Sequence, residues 1–180
     1  DKYGSTKTNN IWGPTSQGDI YLTDLLTQSA CDFIDKNSDS PFFLYLSYNA
    51  PHSPLQGKLS HKKELSHIKS EALKLYASML LAVDEGVGKV LDTLDYKGIK
   101  KETIIIFLSD NGPAKTNFKG LPKEWPRDEM LGSTKGLRGH KGEYFEGGIR
   151  VPFIVSWPGN INFGETSNTP ISSLDIYPTL

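Results

Sequence analysis

Three short apolar runs constrain this chain more than anything else in it: "FFLYL" at 42–46, "TIIIFL" at 103–108 and "VPFIVSW" at 151–157. Each is continuous rather than alternating, the pattern of a strand covered on both faces. Between them the apolar period changes. Over 21–36, Leu22, Leu25, Leu26, Ala30, Phe33 and Ile34 recur at helical spacing, and Pro41 cannot continue that helix. A second helical pattern runs over about 65–94 through Leu73, Tyr76, Leu80, Val83, Val87 and Leu94, with Gly98 placed as the residue just past its end. Helix, strand, helix, strand, loop, strand is an α/β order, and it favours a mostly parallel sheet flanked by helices. Ligands of such sheets lie outside the carboxyl ends of the strands.

The polar motifs lie there. The run 103–108 leads through Ser109 into Asp110-Asn111-Gly112-Pro113. A carboxylate and a carboxamide offer the oxygens that a hard cation such as Ca²⁺ or Mg²⁺ prefers, although the same four residues also suit a plain turn. His52 follows the first run in "NAPHSP", where an imidazole can donate a proton or hold an anion, or be an ordinary surface residue. The segment "KGLRGHKGEYFEGGIRVP", 135–152, sets Lys135, Arg138, His140, Lys141 and Arg150 among five glycines. Glycines allow close backbone approach and the cations suit sulfate or phosphate; a solvated loop is the plainer alternative. The segment lacks the Walker spacing of a P-loop.

Composition narrows the function classes. The 180 residues carry a net charge of −1, which does not point to nucleic acid or an anionic membrane surface. No apolar stretch approaches the roughly 20 residues of a bilayer span. The single cysteine, Cys31, allows neither an internal disulfide nor a cysteine metal cage. It lies about 140° around the helix from Leu26 with no cation beside it, and reads as structural. "SSLDIYPTL" opens a helix with Ser173 as a candidate cap and stops at Leu180; the start at Asp1 shows no initiator Met or signal pattern. Both ends suggest a fragment.

Taken in order and spacing, "PFFLYLSYNAPHSPL", "IIIFLSDNGP" and "LRGHKGEYFEGGIRVPFIVSWPG" closely resemble the sulfatases of the alkaline phosphatase-like superfamily, over residues 21–180. The resemblance implies an incomplete α/β, alkaline phosphatase-like sheet: the central-to-C-terminal portion of a sulfatase catalytic domain. It implies Asp110 and Asn111 as ligands of one calcium ion, with Asp110 also beside the nucleophile. His52 would contact the sulfate ester and help protonate the leaving oxygen; Lys141 would bind the sulfate and share that role. His140 would reach a substrate subsite, and Glu146 and Arg150 would frame the loop. Asn after the aspartate suits Ca²⁺, where phosphatase members of the superfamily tend to carry a zinc-binding histidine.

The family's formylglycine nucleophile arises from a Cys-x-Pro-x-Arg or Ser-x-Pro-x-Arg motif, which these 180 residues do not contain. The remainder of the same polypeptide is therefore an expected partner, and the 180 residues alone are expected to be inactive. The substrate implied is a sulfated small molecule or carbohydrate, and the location secreted, periplasmic or lysosomal. Two other readings share the motifs: a phosphomonoester or phosphodiester hydrolase of the same superfamily, and a non-catalytic anion- or carbohydrate-binding relative.

Overall fold

The computed structural model describes residues 20–117, 121–123 and 125–180; the start at Asp1 lies outside them. The first helix, α1, spans Leu22–Asn37, and the second, α2, spans Glu71–Tyr96. Two strands follow, β1 at Ile105–Leu108 and β2 at Phe153–Ser156. Between them lies a single helical turn, α3, at Glu146–Ile149; a last turn, α4, covers Ile176–Thr179.

Helix α2 begins later than its apolar period suggested. The Ser70 hydroxyl accepts from the Leu73 amide and caps it, while Glu64–His67 forms a separate 3-10 turn. Its end is as expected: Gly98 has φ +72°, its amide bonds Asp95 O, and the Ile99 amide reaches back to Leu94 O. That pair of bonds is a Schellman ending. At the C-terminus the cap is Ser172 rather than Ser173, and the Ser172 amide in turn donates to the Asp175 carboxylate.

The two long helices pack through a face that takes Ala30 and Ile34 from the apolar stripe read on α1 and adds two threonines. Thr23, Thr27, Ala30 and Ile34 are the buried face, whereas Leu22 and Leu25 are exposed. The reason is close approach at Gly86 of α2. A Cβ there would sit 2.5 Å from Thr27 Oγ1 and 2.6 Å from Tyr48 Oη, atoms themselves hydrogen-bonded at 2.8 Å. Cys31 is half-buried and free.

β1 and β2 pair antiparallel, Ile105 opposite Ser156 and Leu108 opposite Phe153. This is the one ladder of named strands among the described residues, so no parallel pairing is seen in them. The run 42–46 forms neither helix nor strand and has no ladder partner among the described residues. Its burial alternates, and Phe43 and Tyr45 are 74% and 78% exposed. The expected cover on both faces is therefore absent from this part of the molecule, as it is over Phe107 and Ile154. A continuous apolar run gives residues for two faces; only one of them meets protein here.

The core lies instead on α2. Ala72, Leu75, Met79 and Val83 pack with Ala50 and Leu55 from the loop after 42–46, and with Leu121, Trp125 and Leu131. The last three come from the long polar stretch after β1, which is thus partly folded onto α2. Buried Thr116 closes it, accepting from the Glu129 amide and donating to Pro126 O.

Candidate active site

Asp110 and Asn111 leave the end of β1 as the sequence suggested, and the chain then turns directly under the glycine-rich segment. The Ser109 amide bonds Pro152 O, the Gly112 amide bonds Gly148 O at 2.8 Å, and the Lys141 amide bonds Pro113 O at 2.9 Å. Glycine is required at this contact. A Cβ on Gly112 would collide with Gly147 O, and one on Gly148 with Glu143 O. The oxygen-bearing loop 110–113 and the cationic loop 138–150 are therefore one backbone-locked unit.

Within it the side chains differ in availability. Asp110 is exposed, and its carboxylate has no hydrogen bond or ion pair with another described residue. Asn111 and Lys141 are half-buried. Ser109 Oγ donates to Asn111 O at 3.0 Å. His140 Nδ1 is 2.9 Å from Lys141 O; a carbonyl only accepts, so that nitrogen carries the hydrogen. Its Nε2 faces Glu143 at 3.8 Å. Glu146 and Arg150 pair at 3.4 Å across α3, and the Arg138 guanidinium lies 3.7 Å over the Phe145 ring, so both contacts brace the segment.

His52 reaches the surface on a separate loop whose neighbours Ala50 and Leu55 enter the α2 core. Its Nδ1 donates to Ser53 O at 2.7 Å, which leaves Nε2 as the atom able to hold or release a proton toward a ligand. The structure thus ties the loop that bears Asp110 and Asn111 to the loop that bears His140 and Lys141 through backbone bonds, and anchors the loop that bears His52 to α2.

The donor set suits a hard cation in kind: an unpaired carboxylate beside a carboxamide, with no thiolate near. It is incomplete in number, since Ca²⁺ takes about 6–8 oxygens and no group of three or more His, Cys, Asp or Glu among the described residues can hold a metal. Sequence reasoning missed a second polar group altogether, Lys58, His61, Ser78 and Glu85, whose members are far apart in the chain. The spacing of Ser78 and Glu85, two helical turns on one face, was the available signal.

The sulfatase family model matches residues 2–180. The chain belongs to the sulfatase family. A steryl-sulfatase of Mus musculus is 34% identical over 168 residues, 93% of this chain and 25% of its own length. The N-acetylgalactosamine-6-sulfatase of the same species is 35% identical over 164 residues, 90% of this chain and 29% of its own. In three dimensions the chain is similar to Ps i-CgsB, solved in complex with k-i-k-neocarrahexaose: TM-score 0.78 at 39% identity, covering 91% of this chain and 34% of that one. The chain accordingly spans between a quarter and a third of the relatives described here. These likenesses bear out the α/β, alkaline phosphatase-like assignment. No helix of the described residues is long and apolar enough to cross a membrane.

Proposed function

We propose that these residues are the central-to-C-terminal portion of the catalytic domain of a sulfatase that hydrolyses sulfate monoesters of sugars, working outside the cytoplasm. The observation that carries the proposal is the backbone lock between the turn that bears Asp110 and Asn111 and the segment that bears Lys141, which ties an oxygen-rich loop to a cationic loop beside the two paired strands. The oligosaccharide bound by Ps i-CgsB and the aminosugar in the name of one relative favour a sulfated sugar as substrate.

In this reading Lys141 binds the sulfate oxygens, and His52 Nε2 delivers a proton to the leaving oxygen. Asp110 and Asn111 supply two ligands for calcium, which when bound would offset the charge of the ester. Asp110 also lies nearest the nucleophile, and His140 borders a substrate subsite. The attacking group, a formylglycine by family resemblance, has no precursor motif in these 180 residues, so this portion binds and protonates while the remainder of the polypeptide attacks.

The test uses the full-length polypeptide with an aryl sulfate and with sulfated oligosaccharides. Sulfate release that stops on chelation and returns with Ca²⁺ is expected, and His52→Ala or Lys141→Ala should lower kcat by about 10²–10⁴-fold. The isolated 180 residues should release no sulfate. Preferential release of phosphate from phosphoesters would overturn the sulfatase reading, and saturable turnover by the isolated portion would overturn the division of labour.

A further inference from the structure

The loop that carries His52 is held at one end by a closed polar ring. The Lys58 amide donates to Ser78 Oγ at 2.9 Å, and Ser78 Oγ lies 3.1 Å from His61 Nδ1. His61 Nε2 lies 3.0 Å from Glu85 Oε1, and the other oxygen of Glu85 accepts from Lys58 Nζ at 2.7 Å. Ser78 Oγ accepts from the Lys58 amide, and the His61 ring spans the gap, with Nδ1 also 3.1 Å from Ser78 O and Nε2 against Glu85. Ser78 is fully buried and His61 is 3% exposed, so the polar ring runs from the interior at these two residues to the surface at Glu85. Lys58 Nζ also reaches Asp24 Oδ1 of α1 at 3.1 Å, which ties both helices to one residue.

Further contacts hold the rest of the loop. The Tyr21 hydroxyl donates to Gln56 O at 2.7 Å, Tyr48 meets Thr27, and Ala50 and Leu55 enter the core. Between these fixed points His52 is exposed; its amide bonds Asn49 O, and among the described residues its ring is oriented by the carbonyl of the next residue. A side chain so placed has its position set by the loop ends. Where a proton must pass to one oxygen, displacement of the donor by about 1 Å can cost on the order of 10²-fold in rate.

We infer that Lys58, His61 and Glu85 form a positioning clamp that sets where His52 Nε2 stands. None of the three touches a reacting atom. The inference rests on the sulfatase reading for its catalytic consequence and on the loop geometry alone for its mechanical one.

Two measurements on the full-length protein separate these. In turnover of an aryl sulfate, well below the melting temperature of each variant, Lys58→Ala and His61→Ala should lower kcat tenfold or more with KM little changed, and should displace the limb of the pH profile that His52→Ala removes. Lys58→Arg, which keeps the charge and can still bridge two carboxylates, should recover most of the loss. Lys97→Ala breaks a 3.0 Å ion pair to Asp35 elsewhere on the same two helices and should leave kcat and the pH profile as in the wild type. The second measurement needs no turnover: amide exchange over residues 49–58 should quicken in Lys58→Ala and not in Lys97→Ala. Unchanged exchange overturns the clamp whatever the enzyme does. Quickened exchange with wild-type kcat and pH profile overturns its role in placing His52. A wild-type protein that hydrolyses no sulfate ester overturns the sulfatase reading and, with it, the catalytic consequence, while exchange still decides the mechanical one.

Discussion

A single methyl group separates two glycines of this chain that look alike in the sequence. At Gly112 a Cβ would collide with Gly147 O, because the turn after β1 is pressed against α3. At Gly88, inside α2, a Cβ meets nothing within 4 Å. Gly112→Ala should therefore destabilise the fold by about 1–3 kcal/mol, the usual cost of overpacking. Gly88→Ala should stabilise it by roughly 0.5–1 kcal/mol through helix propensity alone. Urea denaturation of the two variants checks both signs; equal midpoints would refute the close contact. Such distinctions were not legible beforehand. Glycine density marked 135–152 as a place where backbone approaches something, but Gly147 and Gly148 are buried against other backbone while Gly136 and Gly142 meet nothing within 4 Å and need glycine only for positive φ. Composition shows that a segment is permissive, and only the folded contact shows which residue uses the permission.

The elements divide by how local their causes are. Both long helices were legible from apolar period, and the end of α2 from Gly98, because capping and periodicity act within a few residues. Strand pairing acts across the chain: β1 and β2 lie more than forty residues apart in sequence, and their antiparallel register left no local mark. The same is true of the link from Lys58 to Glu85 and Asp24, since each charge alone resembles a solvated helix face. That link has a measurable pH dependence. Burial acts to raise the Glu85 carboxyl, but the hydrogen bonds and charges of Lys58 and His61 outweigh it and hold the pKa below the ordinary carboxylate value. Burial likewise acts to lower Lys58, and Glu85 with Asp24 hold it above the ordinary lysine value. A lowered acid contributes stability that is complete above its unfolded pKa and disappears as pH falls through the folded one. A raised base contributes stability that is complete below its unfolded pKa and disappears as pH rises through the folded one. The clamp should thus be strongest across the neutral range and fail at both extremes. Since Glu85 is 39% exposed, Glu85→Gln should cost only about 1 kcal/mol at pH 7. The difference from wild type should close as the acid limb is descended, because a protonated Glu85 resembles glutamine. Thermal melts from pH 3 to 8 measure it, and a gap that stays constant with pH would show that the carboxylate charge is not involved.

At the scale of the whole molecule, the sites that matter were legible as positions and only partly as an arrangement. Two motifs followed an apolar run and the third preceded one, and the structure joins the loop of Asp110 and Asn111 to that of Lys141 by backbone bonds that no single motif encodes. What the runs also carry is apolar surface with no cover among the described residues. Phe43 and Tyr45 are exposed on a segment with no ladder partner among the described residues, and Phe107, Ile154 and Val155 are open on the paired strands. A segment with no ladder partner and with large β-favouring side chains exposed is a template for further strand pairing. Side chains of this size rarely remain in water without a partner when they cluster. The isolated 180 residues should consequently bind a hydrophobic dye such as ANS and self-associate as concentration rises. Phe43→Lys combined with Tyr45→Lys should suppress both several-fold and leave the melting temperature nearly unchanged, because neither side chain contributes to the α2 core. Sedimentation velocity with dye titration decides the matter. A wild-type portion that stays monomeric and dye-free would mean these faces are satisfied in solution by a rearrangement of the 42–46 segment. If instead association follows the two aromatic residues, the apolar runs that most constrain the fold are also what bind this portion to its surroundings.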